Sequence, residues 1–187
     1  CRTLWRRQAR ELGEAEGAPL GSAAGILGDL LTRIQGESDL DSLRGLEGLA
    51  AKTWFECFPH ILRGDEAFAW TGRSHRPPQD PANAVLSFLY SVLATECGAA
   101  AQAVGLDVQV GFLHVEKPGR PALALDLMEE FRPLLVDRLF FALVNRRQLA
   151  AKHVERQEAG ACLLTDEGRK VVLTAWHERK REVLTHP

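Results

Sequence analysis

Asp80-Pro81 fixes the start of a helix more firmly than any other pair in this chain. A short acid supplies an N-cap acceptor, and proline fits the first helical position because that residue needs no N–H. The apolar run NAVLSFLYSVL follows, and the helix stops at Gly105. Apolar residues recur at helical spacing almost everywhere else. Leu27, Leu30, Leu31 and Ile34 mark a helix ending near Gly36, and Leu43, Ala50 and Trp54 form an inward row at i, i+7 and i+11. LLVDRLFFALVNRRQL carries a long stripe that is core before anything else. Residues 1–12 read as a helix entered partway, with Leu4, Trp5, Ala9 and Leu12 on one stripe. The expected fold class is therefore all-α. Between the helices the sequence predicts a Gly/Ala/Pro connection at 13–22, a polar loop between Pro59 and Pro81, a short extended link at 107–113, and a kink or restart at Pro133. Ser38 or Asp41 is expected to cap the helix that carries Glu47.

The densest chemistry lies in GFLHVEKPGRPALALDLMEEFRP, residues 111–133, where an imidazole, four carboxylates and three basic side chains surround a Pro/Gly turn. On a helix over 122–132, Asp126 and Glu129 form an i,i+3 pair on one face, so their carboxylates can converge. His114 precedes the turn Pro118-Gly119-Arg120-Pro121, which folds the imidazole back towards them. Such a mixed nitrogen and oxygen donor set suits magnesium or manganese, the imidazole favouring manganese or a softer ion. Ion pairs of Asp126 and Glu129 with Arg132 and Lys117 on a solvated face are the plain alternative. In LDSLRGLEGLAAKTWFECF, Glu47 falls at i+4 of the inward row. An unpaired carboxylate taken out of water costs several kcal/mol, so this one is paired, protonated or metal-bound. Arg44 and Lys52 are its candidate partners at the edge of the stripe.

Taken in order, GLEGLAAKTWFECF, NAVLSFLYSVL, GFLHVEKPGRPALALDLMEEFRP and VDRLFFALVNRRQL resemble the C-terminal catalytic domain of CRISPR-associated protein one, the spacer-acquisition integrase family. The resemblance covers most of residues 40–187. It implies a helical catalytic lobe, with the family's N-terminal β domain absent from this sequence. A single helical domain is then expected over 1–187, with 1–36 as leading helices and 37–187 as the metal- and DNA-binding core. By the motif match a divalent ion, Mg2+ or Mn2+, falls to Glu47, His114 and Glu129, with Asp126 as a supporting or alternative ligand. Lys117 and Arg132 are the implied phosphate contacts. Tyr90 resembles a family tyrosine near the site, a core tyrosine being the alternative. The implied reaction is metal-dependent strand transfer of a 3′-hydroxyl onto a phosphodiester, the chemistry of an integrase and endonuclease. The implied partners are double-stranded DNA, a second copy in a homodimer, and a small ferredoxin-like adaptation protein. Two other functions use the same residues. A helical metallohydrolase of a small phosphorylated substrate would enclose them in a pocket, and a noncatalytic interaction module would turn Asp126 and Glu129 to water with Arg partners.

A net charge of −2 argues against an indiscriminate nucleic-acid coat, so DNA contacts must come from local clusters such as Arg146-Arg147 with Lys152 and Arg156, or Arg179-Lys180-Arg181. Neighbouring glutamates make a solvated helix face the default for both clusters. No window is read as approaching the roughly 20 apolar residues of a membrane span, and a prokaryotic cytoplasmic location is expected. Cys1, Cys57, Cys97 and Cys162 lack paired spacing, which points to buried thiols; Cys57-x-x-His60 has no matching second half for a zinc knuckle. The only methionine is Met128 and the first residue is Cys1, so the sequence is expected to be part of a longer product.

Overall fold

The computed structural model describes residues 1–74, 77–158 and 160–182. The chain forms two compact units, Cys1–Leu62 with Trp70–Arg73, and Arg63–Ala69 with Ser74–Pro187.

The first unit consists of α1 (Arg2–Leu12), α2 (Glu14–Gln35) and α3 (Leu40–Glu56). Gly13 alone separates the first two helices; its φ of +82° lies in the left-handed half of the map that most side chains avoid. The predicted connection at 13–22 is therefore helical. Its small residues serve close packing of α1 on α2: a Cβ on Gly17 would stand 2.2 Å from the Ala9 carbonyl oxygen. Pro19 sits within α2, where its missing N–H costs one ladder bond but does not end the helix. Asp39, and not Ser38 or Asp41, caps α3, its carboxylate accepting from the Ser42 N–H at 2.8 Å. Helix α3 packs on α2 within this unit, which runs to Leu62. The core is aromatic. Trp5 stacks on Trp54 with ring centroids 4.0 Å apart, and Phe58 meets both edge-on at 6.5 and 6.1 Å. Such pairs add about 0.5–1.5 kcal/mol each beyond the area they bury.

The second unit is organised around α4 (Pro81–Ala103), against which pack α5 (Ala122–Phe131), a π-helical turn over Arg132–Asp137, and a strand. Asp80 caps α4 through the Asn83 N–H at 2.8 Å, with Pro81 at the first position, as the sequence predicts. Gly105, at φ +81°, lets the N–H groups of Gly105 and Leu106 return to the carbonyls of Gln102 and Ala101 at 3.0 Å each. Over its most apolar window α4 has a mean hydropathy of 1.5, so the reading that no segment is apolar enough to span a bilayer is corrected. Its inner face, including Val85, Leu86, Leu89 and Leu93, is core.

Pro133 does interrupt the helix that carries the acidic pair. Without an N–H it cannot close the bond to the carbonyl four residues back, and the chain widens into the π turn before α6 (Arg138–Asn145) resumes. A hairpin not foreseen in the sequence follows. Strand β1 (Val154–Arg156) pairs antiparallel with β2 (Cys162–Leu164), Glu155 opposite Leu163, before α7 (Asp166–Arg181). Cys57, Cys97 and Cys162 are buried free thiols; burial, followed by the Glu56 charge, raises Cys57 to about 11.

Gly17→Ala should lower stability by about 1–3 kcal/mol, because the carbonyl it meets is backbone and cannot swing away. Gly21→Ala on the open side of the same helix, where an added Cβ meets nothing within 4 Å, should raise stability by about 0.5–1 kcal/mol. Urea midpoints of the two variants and the parent check both signs.

Candidate functional site

Asp126 lies on α5 in the second unit, and its side chain is fully withdrawn from solvent. The α4–α5 loop bends around it. Oδ2 accepts the N–H groups of Phe112 at 2.6 Å and Leu113 at 3.0 Å, while Oδ1 accepts the His114 N–H at 2.9 Å and contacts His114 Nδ1 at 2.7 Å. Residues 112–114 are thus a bend around one carboxylate, not the extended link predicted over 107–113. The approach is close enough that a Cβ on Gly111 would stand 2.7 Å from Asp126 Oδ2. The turn foreseen at 118–121 forms, with the Arg120 N–H on the Lys117 carbonyl at 3.0 Å.

Burial alone would push the Asp126 carboxyl up. The Leu113 N–H, the His114 ring and the N–H groups of His114 and Phe112 outweigh it, and hold the carboxyl below its ordinary value. An ionised carboxylate can only accept, so the proton at this contact belongs to His114 Nδ1. In the neutral ring Nε2 then carries the lone pair. A carboxylate behind the imidazole is the arrangement that orients a metal-binding histidine, so the donor chemistry of His114 fits a divalent ion. The four contacts use the four lone-pair directions of Asp126.

Glu129, one turn on, faces a different group. Its Oε1 accepts from Arg132 Nη1 at 2.5 Å. The Arg132 guanidinium lies 4.4 Å from the centre of the Tyr90 ring, and the Tyr90 hydroxyl donates to Asp137 Oδ1 at 2.5 Å. Burial and then the Asp137 charge raise the Tyr90 hydroxyl well above its ordinary value. Burial would release the Arg132 proton, but Tyr90, Glu129 and Asp137 more than offset this and keep the guanidinium charged. The Tyr90 hydroxyl is thus buried against Asp137, while Arg132 is partly exposed and has Nη1 on Glu129. Asp137, 1% exposed, was missed by sequence reasoning. The signal was present, since an acid inside the apolar stripe LLVDRLFF meets the same burial argument as Glu47.

Lys117 is exposed on the turn, as a phosphate contact requires. Glu47 is half-buried on α3 in the first unit, where Arg44 pairs with Asp41 at 2.6 Å and Lys52 with Glu56 at 3.8 Å. Among the described residues no three His, Cys, Asp or Glu side chains gather as a metal-holding group. The basic clusters are partly paired, Lys152 with Glu167 at 2.7 Å and Lys180 with Glu96 at 2.6 Å. Of the loop groups read as able to touch DNA, His75 and Arg76 lie outside the described residues.

Because the folded Asp126 carboxyl titrates below its unfolded value near about 4, its stabilisation is complete above that pH and is lost as pH falls through the depressed folded value. Asp126→Asn should be less stable than the parent by about 1–3 kcal/mol at neutral pH, since an amide nitrogen would face N–H donors. Its loss of stability from pH 5 downward should be shallower than the parent's, as read from urea midpoints across that range.

The profile described as "CRISPR associated protein Cas1" matches residues 1–178. A protein of Rhodospirillum rubrum named "CRISPR-associated endonuclease Cas1 2" is 50% identical over 97% of this chain, which spans 54% of that relative. Among solved structures, "Partial Cas6-RT-Cas1--Cas2 complex" superposes with a TM-score of 0.80 at 28% identity, over 94% of this chain and 54% of that one. "Casposase bound to integration product" superposes at 0.74 with 26% identity, over 84% of this chain and 47% of that one. The chain thus spans about half the length of these relatives. With the profile running from α1 through the hairpin and into α7, this chain belongs to the Cas1 family of CRISPR-associated proteins.

Proposed function

We propose that this chain is the helical catalytic lobe of a CRISPR adaptation integrase and endonuclease. The reading rests most on the 2.7 Å contact between His114 Nδ1 and the buried Asp126 carboxylate, which leaves Nε2 as a donor of fixed direction. The endonuclease name of the Rhodospirillum rubrum relative and the integration product bound to the casposase support the reaction class.

In this reading Glu47, His114 and Glu129 hold a divalent cation, Mg2+ or Mn2+; Glu47 enters on its motif. When bound, that cation supplies positive charge against the transferring phosphoryl group. The 3′-oxygen of a captured DNA fragment forms a bond to phosphorus at a repeat boundary as the bond to the leaving oxygen breaks, so one phosphodiester replaces another without a high-energy cofactor. Asp126 keeps the His114 ring in one tautomer and orientation through the exchange. Lys117, exposed on the turn beside His114, neutralises a flanking phosphate and holds the strand. Arg132 holds Glu129 from the Tyr90 ring. The partners in this reading are double-stranded DNA, a second copy of the chain and a small ferredoxin-like adaptation protein, in keeping with the Cas2 named in the neighbouring complex. The setting is the cytoplasm of a prokaryote.

His114→Ala should lower strand transfer on a branched DNA substrate in Mn2+ by at least about 100-fold, with Asp126→Asn falling about 10- to 100-fold. Equal rates for parent and His114→Ala would remove the basis of the reading. The assay uses the complete reading frame together with its adaptation partner.

A further inference from the structure

Outside the His114 site, α6 and α7 face each other across a cleft of about 480 Å3. On one side its wall is Arg138 and Ala142 of α6 with Arg146, the residue that ends that helix, so two guanidinium-bearing residues flank one small side chain. Eight residues of helix separate their Cα atoms by about 12 Å, a span two long side chains close from both ends. On the other side the wall is Ala175, Glu178 and Arg179 of α7 with Glu182, the extended residue just past its end. Ala142 and Ala175 leave room between the helices, with Leu134 and Leu139 completing the apolar part of the lining.

The third arginine is built into the wall. Arg179 Nη2 donates to the Leu134 carbonyl at 3.1 Å, Nη1 pairs with Glu182, and the side chain is 18% exposed. Its Nε is buried with no hydrogen-bond partner among the described residues. A buried donor left without an acceptor costs about 1–3 kcal/mol. With Glu178 counted, three arginines face two glutamates, and the net lining charge of +1 equals that needed by one phosphodiester. Gln148 adds a neutral amide donor at the rim.

We propose that this cleft binds a phosphoryl group, supplied by the DNA backbone or by a small phosphate. Planar guanidinium forks on both sides of a narrow slot match tetrahedral oxygens in a way that a lysine would not. The DNA source rests on the function proposed above; the phosphoryl chemistry does not.

The test uses the full chain, with Arg138→Ala/Arg146→Ala and Ala142→Leu as variants, the latter filling the slot without changing charge. Arg179 is left intact because it props the wall. Two probes are applied, inorganic phosphate followed by thermal unfolding, and a fluorescent DNA duplex followed by anisotropy across a salt series. A DNA source predicts that the double variant binds the duplex about 10-fold more weakly and that its log–log salt slope falls by about one to two. Ala142→Leu should weaken binding as well. A small-phosphate source predicts that phosphate raises the parent's unfolding temperature, that neither variant responds, and that the DNA slope is unchanged. Unchanged behaviour with both probes in variants that unfold like the parent overturns the proposal. Competition by oligoglutamate at the cleft, with no response to phosphate or duplex, also overturns it and assigns the cleft to an acidic protein segment.

Discussion

The second unit depends on a carboxylate that has left water. Burying Asp126 unpaired would cost several kcal/mol, and the fold answers with three consecutive backbone N–H groups and an imidazole. The interaction works in both directions. The N–H groups of residues 112–114 all go to this carboxylate, so the carboxylate holds the loop as firmly as the loop holds the carboxylate. The histidine is oriented as part of the same saturation, and Gly111 is the condition for it because any side chain there would push the bend off α5. Site geometry and fold stability are thus one set of contacts.

A second chain of polar contacts runs beside the first. Glu129 reaches Arg132, Arg132 lies on the Tyr90 ring, and Tyr90 donates to Asp137. Charge-assisted hydrogen bonds of this kind are strong when dry, and each member removes the penalty its neighbour would otherwise carry. The first unit is built differently. Its core is a cluster of rings, Trp5, Trp54 and Phe58, under two helices brought together by glycine and alanine.

Much of this was legible in the chain. Helix positions followed from period and punctuation, most clearly at Asp80-Pro81, Gly105 and Pro133, where residue chemistry leaves the backbone little choice. The meeting of His114 with α5 was legible because a Pro/Gly turn lies between them. What could not be read was direction. Spacing puts Asp126 and Glu129 on one face, but only the packed structure shows one turned to a loop of N–H groups and the other to a guanidinium. Tyr90 looks like a surface reagent until the buried Asp137 gives the hydroxyl an internal partner. The 13–22 segment misled because glycine and alanine serve two ends, freedom in loops and close approach in helices, and only the neighbour at Ala9 distinguishes them. The hairpin at 154–164 was missed because its strands are three residues each, too short for alternation to declare itself.

The π turn at Pro133 has a consequence for the register of everything after it. A π segment holds one more residue than the α-helical turn it replaces, which rotates all later side chains by about 100° about the axis relative to an unbroken helix. Asp137 lies at the end of that segment, and the faces of α6 are set by the same offset. Deleting a single residue between Arg132 and Asp137 would restore regular winding, yet it would swing Asp137 away from Tyr90 and turn Arg138, Ala142 and Arg146 off the cleft together. Insertions and deletions should thus be far less tolerable in these six positions than in the loops before α5 and after α6.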